Sequence, residues 1–310
     1  MKIIPTSPNL QTIQITDKSK DSSCATIIEK KQQEEKSSYS ACLDSLGRAQ
    51  VNLNKTISKP NYEEAENIIN KIVQPLGMKV RRYANDKHIS VGKPVEGFKN
   101  LYTDEMKAKC VRKENGDINE IFILDKSTNE VCIYDNNGKL KKSFDKDDMK
   151  ALLEYKYHPE AIHNLLRNNL FRGIESQETL QHYIKQIDNI FADKEKIWIT
   201  KQPIVLYRAI EDNPSIEQRC ALNAEGKTFE SKSFVSTTTN INTAKRFAHG
   251  NPILEIDVPA GTKYIDMDAL FNIDREHWRE QEFLLPRNSR FVVTGFDDFL
   301  DIIKVKYIEQ

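Results

Sequence analysis

Two glutamates separated by one residue, Glu280 and Glu282, form the most chemically distinctive pair in the sequence. They run directly into the apolar stretch Phe283–Leu285, which predicts that they share one side of a β-strand. Like charges this close repel each other and raise one pKa of the pair, so the pair has no structural use on a core strand. It is expected where a cationic transition state or an attacking nucleophile must be held.

Two further segments place polar groups inside strand-like sequence. Arg208 stands within the apolar run Ile204–Ile210, and Ser233–Thr238 is a strand rich in hydroxyl groups in which Phe234 and Ser236 fall on one face. Taken singly, each segment is typical of a solvent-exposed edge strand. Their functional meaning depends on their combination with the glutamate pair.

The first half of the chain carries no chemical motif. Residues 1–60 are polar and predict a flexible leader. Residues 61–145 predict a small α+β accessory region, in which a helix stops at Gly77 and Asn137-Gly138 forms a hairpin turn.

The second half must position the reactive side chains. Residues 146–195 carry apolar stripes at helical spacing. From residue 196 to 310, short β-type runs recur between turn signals and predict a β-sandwich-like core. A short helix, Thr243–Ala248, interrupts them and is predicted to be capped by Asn242.

The overall composition excludes several functional classes. The 310 residues include 46 basic and 46 acidic side chains, so the net charge of zero argues against a nucleic-acid partner. The apolar runs are strand-sized, which predicts no membrane span. The five cysteines are scattered and predict reduced thiols. Neither His249 nor His277 has a second ligand at metal spacing, so no metal is expected.

In the order arginine strand, Ser-Thr strand, Glu-x-Glu strand, the last third of the chain resembles the R-S-E class of mono-ADP-ribosyltransferases, which includes secreted bacterial toxins and effectors. The likeness extends to Ala244, Phe247 and the turn Pro259-Ala260-Gly261. It implies an α+β ADP-ribosyltransferase fold, in which two perpendicular β-sheets form an NAD cleft behind a helical lead-in. Residues 146–310 would then be the catalytic domain, and NAD its co-substrate.

The resemblance implies catalytic roles for four residues. Arg208 would bind the NAD phosphates. Ser236 would orient Glu282, which would stabilise the oxocarbenium-like ribose left when nicotinamide departs. Glu280 would hold and deprotonate the acceptor side chain. Because a carboxylate suits a guanidinium better than an amide does, Glu280 favours arginine as the acceptor.

Other residues of the proposed site follow from the same resemblance. Thr237 would help to hold the strand at the cofactor site, and Thr238 keeps a hydroxyl where the family has a serine. Phe247 either packs on nicotinamide or forms the apolar face of a short helix. In the loop before Glu280, the aromatic and apolar residues are typical of substrate-recognition anchors. These are Phe271, His277 and Trp278, of which Trp278 has the alternative of packing beneath the loop.

The implied function is an NAD+–protein-arginine ADP-ribosyltransferase. It would be a virulence effector that a bacterium secretes into the host cytosol, where it would act as a monomer on a host protein. Three alternatives stay open: an NAD glycohydrolase toxin, a transferase with a non-arginine acceptor such as ubiquitin, and a non-catalytic NAD- or protein-binding module. The accessory region is open between substrate or partner binding and inhibition.

Overall fold

The computed structural model describes residues 61–97, 101–169, 171, 176–210, 221–273, 280–297 and 299–308. The predicted leader, residues 1–60, lies outside the described residues. The described chain is mixed α+β with two sheets, one of six strands and one of nine, which confirms the predicted fold class. Among the described helices, none is long and apolar enough to cross a membrane.

An amphipathic helix and a six-stranded meander form the accessory region. Its elements are helix α1 (Tyr62–Val73), a short 3₁₀ turn (Gln74–Leu76) and the strands β1 (Lys79–Asn85), β2 (His88–Gly92), β3 (Met106–Arg112), β4 (Ile118–Asp125), β5 (Val131–Asp135) and β6 (Leu140–Phe144). The strands lie in chain order, and each pairs antiparallel with the next. The predicted hairpin is present, with Gly138 at φ 81° between β5 and β6, a conformation that glycine adopts without strain.

The two faces of this sheet belong to different hydrophobic cores. Ile121 and Ile123 of β4 share one core with α1 residues such as Ile69. Phe122, between them, belongs to the core of the following helices. Successive side chains of a strand point to opposite faces. One face of the sheet is therefore covered by α1 and the other by the helical layer.

Five helices and nine strands make up the described part of the second half. They are α2 (Lys146–Tyr157), α3 (Pro159–Asn168), α4 (Gln177–Ala192), β7 (Trp198–Ile199), β8 (Ile204–Ala209), β9 (Thr228–Ser231), β10 (Val235–Thr238), α5 (Ile241–Ala248), β11 (Ile253–Val258), β12 (Lys263–Asp266), α6 (Met267–Phe271), β13 (Glu282–Leu285), β14 (Ser289–Asp297) and β15 (Ile302–Ile308). The predicted cap of α5 is wrong by two residues. Asn240 is the N-cap, and its side chain accepts from the backbone N–H of Asn242 at 3.0 Å.

The nine strands follow one hydrogen-bonded order, β7-β12-β13-β10-β8-β11-β15-β14-β9. Strand β10 lies between β13 and β8, so Thr238 is opposite Glu282 on one side and opposite Tyr207 on the other. The strands of the three sequence motifs are therefore neighbours, although they lie far apart along the chain. Leu284 of β13 and Phe234, the residue before β10, pack against the helical layer.

Buried polar contacts fix helix α2 within this layer. Asp145 and Asp148 form a capping box at its N-terminus. Asp148 is 0% exposed, pairs with Lys196 and accepts from the Gln186 side chain of α4 at 2.8 Å. A buried carboxylate is costly without such partners. These contacts therefore fix the direction of α2, and with it the position of the side chains at its C-terminal end.

Candidate active site

The three sequence motifs meet in the middle of the nine-stranded sheet. Ser236 Oγ donates a hydrogen bond to Glu282 Oε1 at 2.6 Å, and Arg208 Nη1 donates to the backbone oxygen of Ser236 at 2.7 Å. Glu282 is only 6% exposed. The structure thus brings Arg208, Ser236 and Glu282 into one cluster.

Glu280 and Glu282 converge, but not by the geometry that the sequence predicts. Strand β13 begins at Glu282, and Gln281 has φ 49°, a left-handed conformation that residues other than glycine adopt infrequently. The prediction that both glutamates share one side of a regular strand is therefore wrong. They meet at the Nζ atom of Lys156, which lies 3.2 Å from Glu280 Oε2 and 2.6 Å from Glu282 Oε2.

Hydroxyl groups of the neighbouring strand hold this turn. Thr238 Oγ1 donates to the backbone oxygen of Glu280 at 2.5 Å, and Thr237 Oγ1 donates to that of Phe283 at 2.7 Å. Thr239 Oγ1 donates to Gln281 Oε1 at 2.9 Å. The threonine run therefore fixes the backbone on both sides of Glu282. At Thr238, where the family has a serine, the threonine keeps the hydroxyl group, and this hydroxyl binds the backbone of Glu280.

Lys156 supplies the cation of the glutamate pair. It lies in the last turn of α2, and its side chain is 6% exposed. Burial by itself lowers the pKa of Lys156, but the carboxylates of Glu282 and Glu280 outweigh burial and raise that pKa above its ordinary value. The lysine is therefore charged throughout the physiological pH range.

A second group of basic side chains lies near Tyr155. Burial lowers the pKa of Arg208. Burial and the nearby charge of Arg208 lower the pKa of Arg167, on α3, to about 10. Burial and both arginines lower the pKa of His163 to about 2, so this imidazole is neutral, and its Nε2 atom lies 3.1 Å from the Tyr155 hydroxyl. The charge of Arg208 thus disfavours the charge of Arg167, and an anion bound to both would favour it.

The other predicted site residues are less closely tied to the cluster. Phe247, on α5, is 51% exposed, and the Arg246 guanidinium lies 5.2 Å from its ring centroid. The prediction that Phe271 lies in a loop is wrong: it ends helix α6 and packs, partly buried, against the helical core. His277 and Trp278 lie outside the described residues. Within the described ranges, no three His, Cys, Asp or Glu side chains are grouped so that they could hold a metal ion.

Sequence reasoning missed Lys156 and Arg167, although one of them left a signal. Lys156 follows Met149 by seven residues and Leu152 by four, so helical periodicity places it on the buried face of α2. A charged residue in a core-facing stripe indicates a buried partner of opposite charge. Arg167, in the last turn of α3, looks in sequence like an ordinary helix C-terminal cation.

Three solved structures resemble this chain over about half of its length. Plx2a, an ADP-ribosyltransferase toxin from Paenibacillus larvae, has 15% identity and a TM-score of 0.41, over 54% of this chain and 87% of its own. The C3 exoenzyme of Clostridium limosum has 19% identity and a TM-score of 0.41, over 53% and 85%. C3stau2 from S. aureus, in a structure with NAD, has 19% identity and a TM-score of 0.41, over 54% and 89%.

The family assignment rests on a match to the sequence itself. No curated protein matches the chain. The family model described as ADP-ribosyltransferase exoenzyme matches residues 134–308, which is more than half of the chain and includes α2, α3 and the whole glutamate site. ADP-ribosyl transfer draws its ADP-ribose from NAD, so the predicted co-substrate is confirmed. The chain therefore belongs to the ADP-ribosyltransferase exoenzyme family.

Proposed function

We propose that this protein is an R-S-E class mono-ADP-ribosyltransferase that transfers ADP-ribose from NAD to an arginine of a host protein. The observation that carries the proposal is the buried contact between Ser236 Oγ and Glu282 Oε1 at 2.6 Å, with Glu280 beside it. An ionised carboxylate, oriented by a hydroxyl in a cleft, is the group that NAD cleavage needs.

Glu282 is the residue that we assign to cleavage of NAD. Breaking the bond between nicotinamide and ribose leaves positive charge on the ribose. Glu282 accepts from the 2′-hydroxyl of that ribose and places its negative charge where the positive charge develops. Ser236 holds the carboxylate in this direction, so the group needs no rearrangement during the reaction.

The two arginines are assigned to the pyrophosphate of NAD. Arg208 lies on β8 beside Ser236, and Arg167 is close enough that the charge of Arg208 lowers its pKa. A pyrophosphate offers two negative charges and suits two guanidinium forks. Phe247, half exposed on α5, is assigned to the face of the nicotinamide, and Thr237 to the strand that carries Ser236.

Glu280 is assigned to the acceptor. It is more exposed than Glu282, with 18% of its side chain accessible against 8%. Its carboxylate pairs with the acceptor guanidinium and takes one proton from the attacking nitrogen. A C1′–N bond to the acceptor then forms as the C1′–nicotinamide bond breaks, and nicotinamide leaves as a neutral molecule.

The recognition loop and the biological setting complete the proposal. Phe271, His277 and Trp278 are assigned to recognition of the target protein. Secretion by a bacterium and action in the host cytosol as a monomeric effector accord with an exoenzyme family.

The experiment uses the full-length protein with labelled NAD and host lysate. We expect a labelled protein band and release of nicotinamide. Glu280→Gln should remove the label from protein but spare part of the nicotinamide release, because the acceptor loses its carboxylate while Glu282 stays in place. Loss of neither activity in this variant would contradict the role of Glu280.

One observation favours a second candidate, an NAD glycohydrolase. The carboxylate of Glu280 is already paired with Lys156 at 3.2 Å, so it is less available to bind an arginine side chain. Water then has less competition from arginine as the acceptor of ADP-ribose. Nicotinamide release by the wild-type protein with no labelled protein in any lysate supports this candidate over the transferase.

A further inference from the structure

Lys156 stands between the two glutamates that the proposed reaction needs. Its Nζ atom touches Glu282 Oε2 at 2.6 Å and Glu280 Oε2 at 3.2 Å. The three side chains are 6%, 8% and 18% exposed, in the order Lys156, Glu282, Glu280. Water screens such a buried ion pair less than it screens a surface pair. The charge of each of the three groups therefore acts strongly on the other two.

The surroundings of Glu282 show why this cation is needed. Three elements bring charged or titratable groups towards it: α2 brings Lys156 and Tyr155, β8 brings Arg208, and the turn before β13 brings Glu280. Burial raises the pKa of Tyr155, which is therefore neutral. Arg208 donates a hydrogen bond to the backbone oxygen of Ser236. Lys156 is the cation described in direct contact with both carboxylates.

We propose that Lys156 is a positioning residue that keeps Glu280 and Glu282 ionised before substrates bind, and that the arriving acceptor cation replaces it at Glu280. This inference rests on the proposed function for its second half. Two carboxylates that share a site cannot both ionise freely, because each disfavours the charge of the other. A resident ammonium removes that conflict.

The two contacts of Lys156 differ in a way that suits such an exchange. The contact to Glu280 is the longer of the two, and Glu280 is the more exposed glutamate. A guanidinium forms two parallel N–H bonds with a carboxylate, whereas an ammonium acts as a point charge. An arginine side chain therefore displaces the lysine at Glu280, while Lys156 keeps its 2.6 Å contact to Glu282.

The test replaces Lys156 and follows the titration of the glutamates in the full-length protein. In Lys156→Met, the stem keeps its length but the charge is lost. Carbon-13 labelling of glutamate carboxyls, with signals assigned from Glu280→Gln and Glu282→Gln, measures each pKa by NMR. We expect one carboxyl pKa to rise by about one unit or more, and the acid limb of nicotinamide release to move to higher pH by the same amount.

Three comparisons make the result decisive. Lys156→Arg keeps the charge and should restore both titrations, whereas Lys150→Met removes an exposed lysine of the same helix and should change neither. Lys156→Gln, a neutral polar variant, replaces Lys156→Met if the latter does not fold. Carboxyl titrations that match the wild type in the neutral variant, or an equal shift in Lys156→Arg, would overturn the proposal.

The NMR titration and the kinetic assay separate the role of Lys156 from the proposed function. The NMR titration needs no substrate and decides whether Lys156 sets the charge of the pair. For the exchange, the apparent KM for a small guanidino acceptor such as agmatine is measured at a pH above both carboxyl pKa values found by NMR. It should fall in Lys156→Met, because the resident competitor is gone, and an unchanged or higher KM would overturn the exchange. A wild-type protein that releases no nicotinamide contradicts the proposed function alone.

Discussion

The accessory sheet and the nine-stranded sheet use buried polar groups in opposite ways. Within the described part of residues 61–145, every buried side chain is hydrophobic. In the described part that follows, buried side chains include Asp148, Glu282 and seven serines or threonines. Burying a polar or charged group costs free energy unless it is paired. The second region therefore carries a cost that the first avoids, and Glu282, Thr237 and Thr238 are the part of it that lies at the glutamate site.

The two regions also differ in the sequence separation of the residues that are in contact. The six accessory strands pair with their chain neighbours. The site is built from pairs such as Lys156 with Glu282, 126 residues apart, and Ser236 with Glu282, 46 residues apart. The chemistry of the site therefore depends on tertiary structure. Matched substitutions in the two regions should therefore differ in their effect on nicotinamide release.

Ser236→Ala removes the hydroxyl that orients Glu282. A hydrogen bond to a charged group contributes about 1.5–3 kcal/mol, so nicotinamide release should fall by about 10- to 100-fold. Ser90→Ala, which removes the hydroxyl that Lys107 contacts on accessory strand β2, is the matched control and should leave the rate within about twofold. Equal losses in both variants would break the distinction between the two regions.

Arg167→Gln removes one cation of the group near Tyr155. If Arg167 holds a phosphate of NAD, the KM for NAD should rise about tenfold, because one charge-assisted contact is lost. The pKa of His163 should rise from about 2, since one of the charges that lowers it is gone, and NMR of the imidazole measures this. Arg82→Gln, at an exposed arginine of accessory strand β1, should change neither quantity. A higher His163 pKa with an unchanged KM would place the phosphates elsewhere.

Local signals in the sequence predicted local structure well. The helix before Gly77 and the Asn137-Gly138 hairpin both follow from short-range patterns, and both are present. In the accessory region the sequence predicts strands at Lys79–Tyr83, Glu120–Leu124 and Val131–Asp135, but it does not predict β2 or β3. In β3, lysines alternate with the buried residues Met106, Ala108 and Cys110. The apolar content of this segment therefore looks low in the sequence. Such lysines keep their charge in water while their stems cover apolar surface.

The site was predictable in its residues but not in its geometry. Arg208, Ser236 and Glu282 were identified from a family pattern, and they do meet. The turn at Gln281 was not predictable, because a left-handed residue between two glutamates depends on the hydroxyl contacts that hold it. Helical spacing indicates that Lys156 is buried, but it does not identify the partners, because they lie 124 and 126 residues away.

The most direct test of the account is the rate of nicotinamide release by the full-length protein in Glu282→Gln and Glu120→Gln. Both positions hold a glutamate in contact with a lysine, Glu282 with Lys156 and Glu120 with Lys141 at 2.6 Å in the accessory sheet. We predict a fall of about 100- to 1,000-fold in Glu282→Gln, with a thermal midpoint that shows a folded protein, and a wild-type rate in Glu120→Gln. A folded Glu282→Gln protein that releases nicotinamide at the wild-type rate would contradict the account.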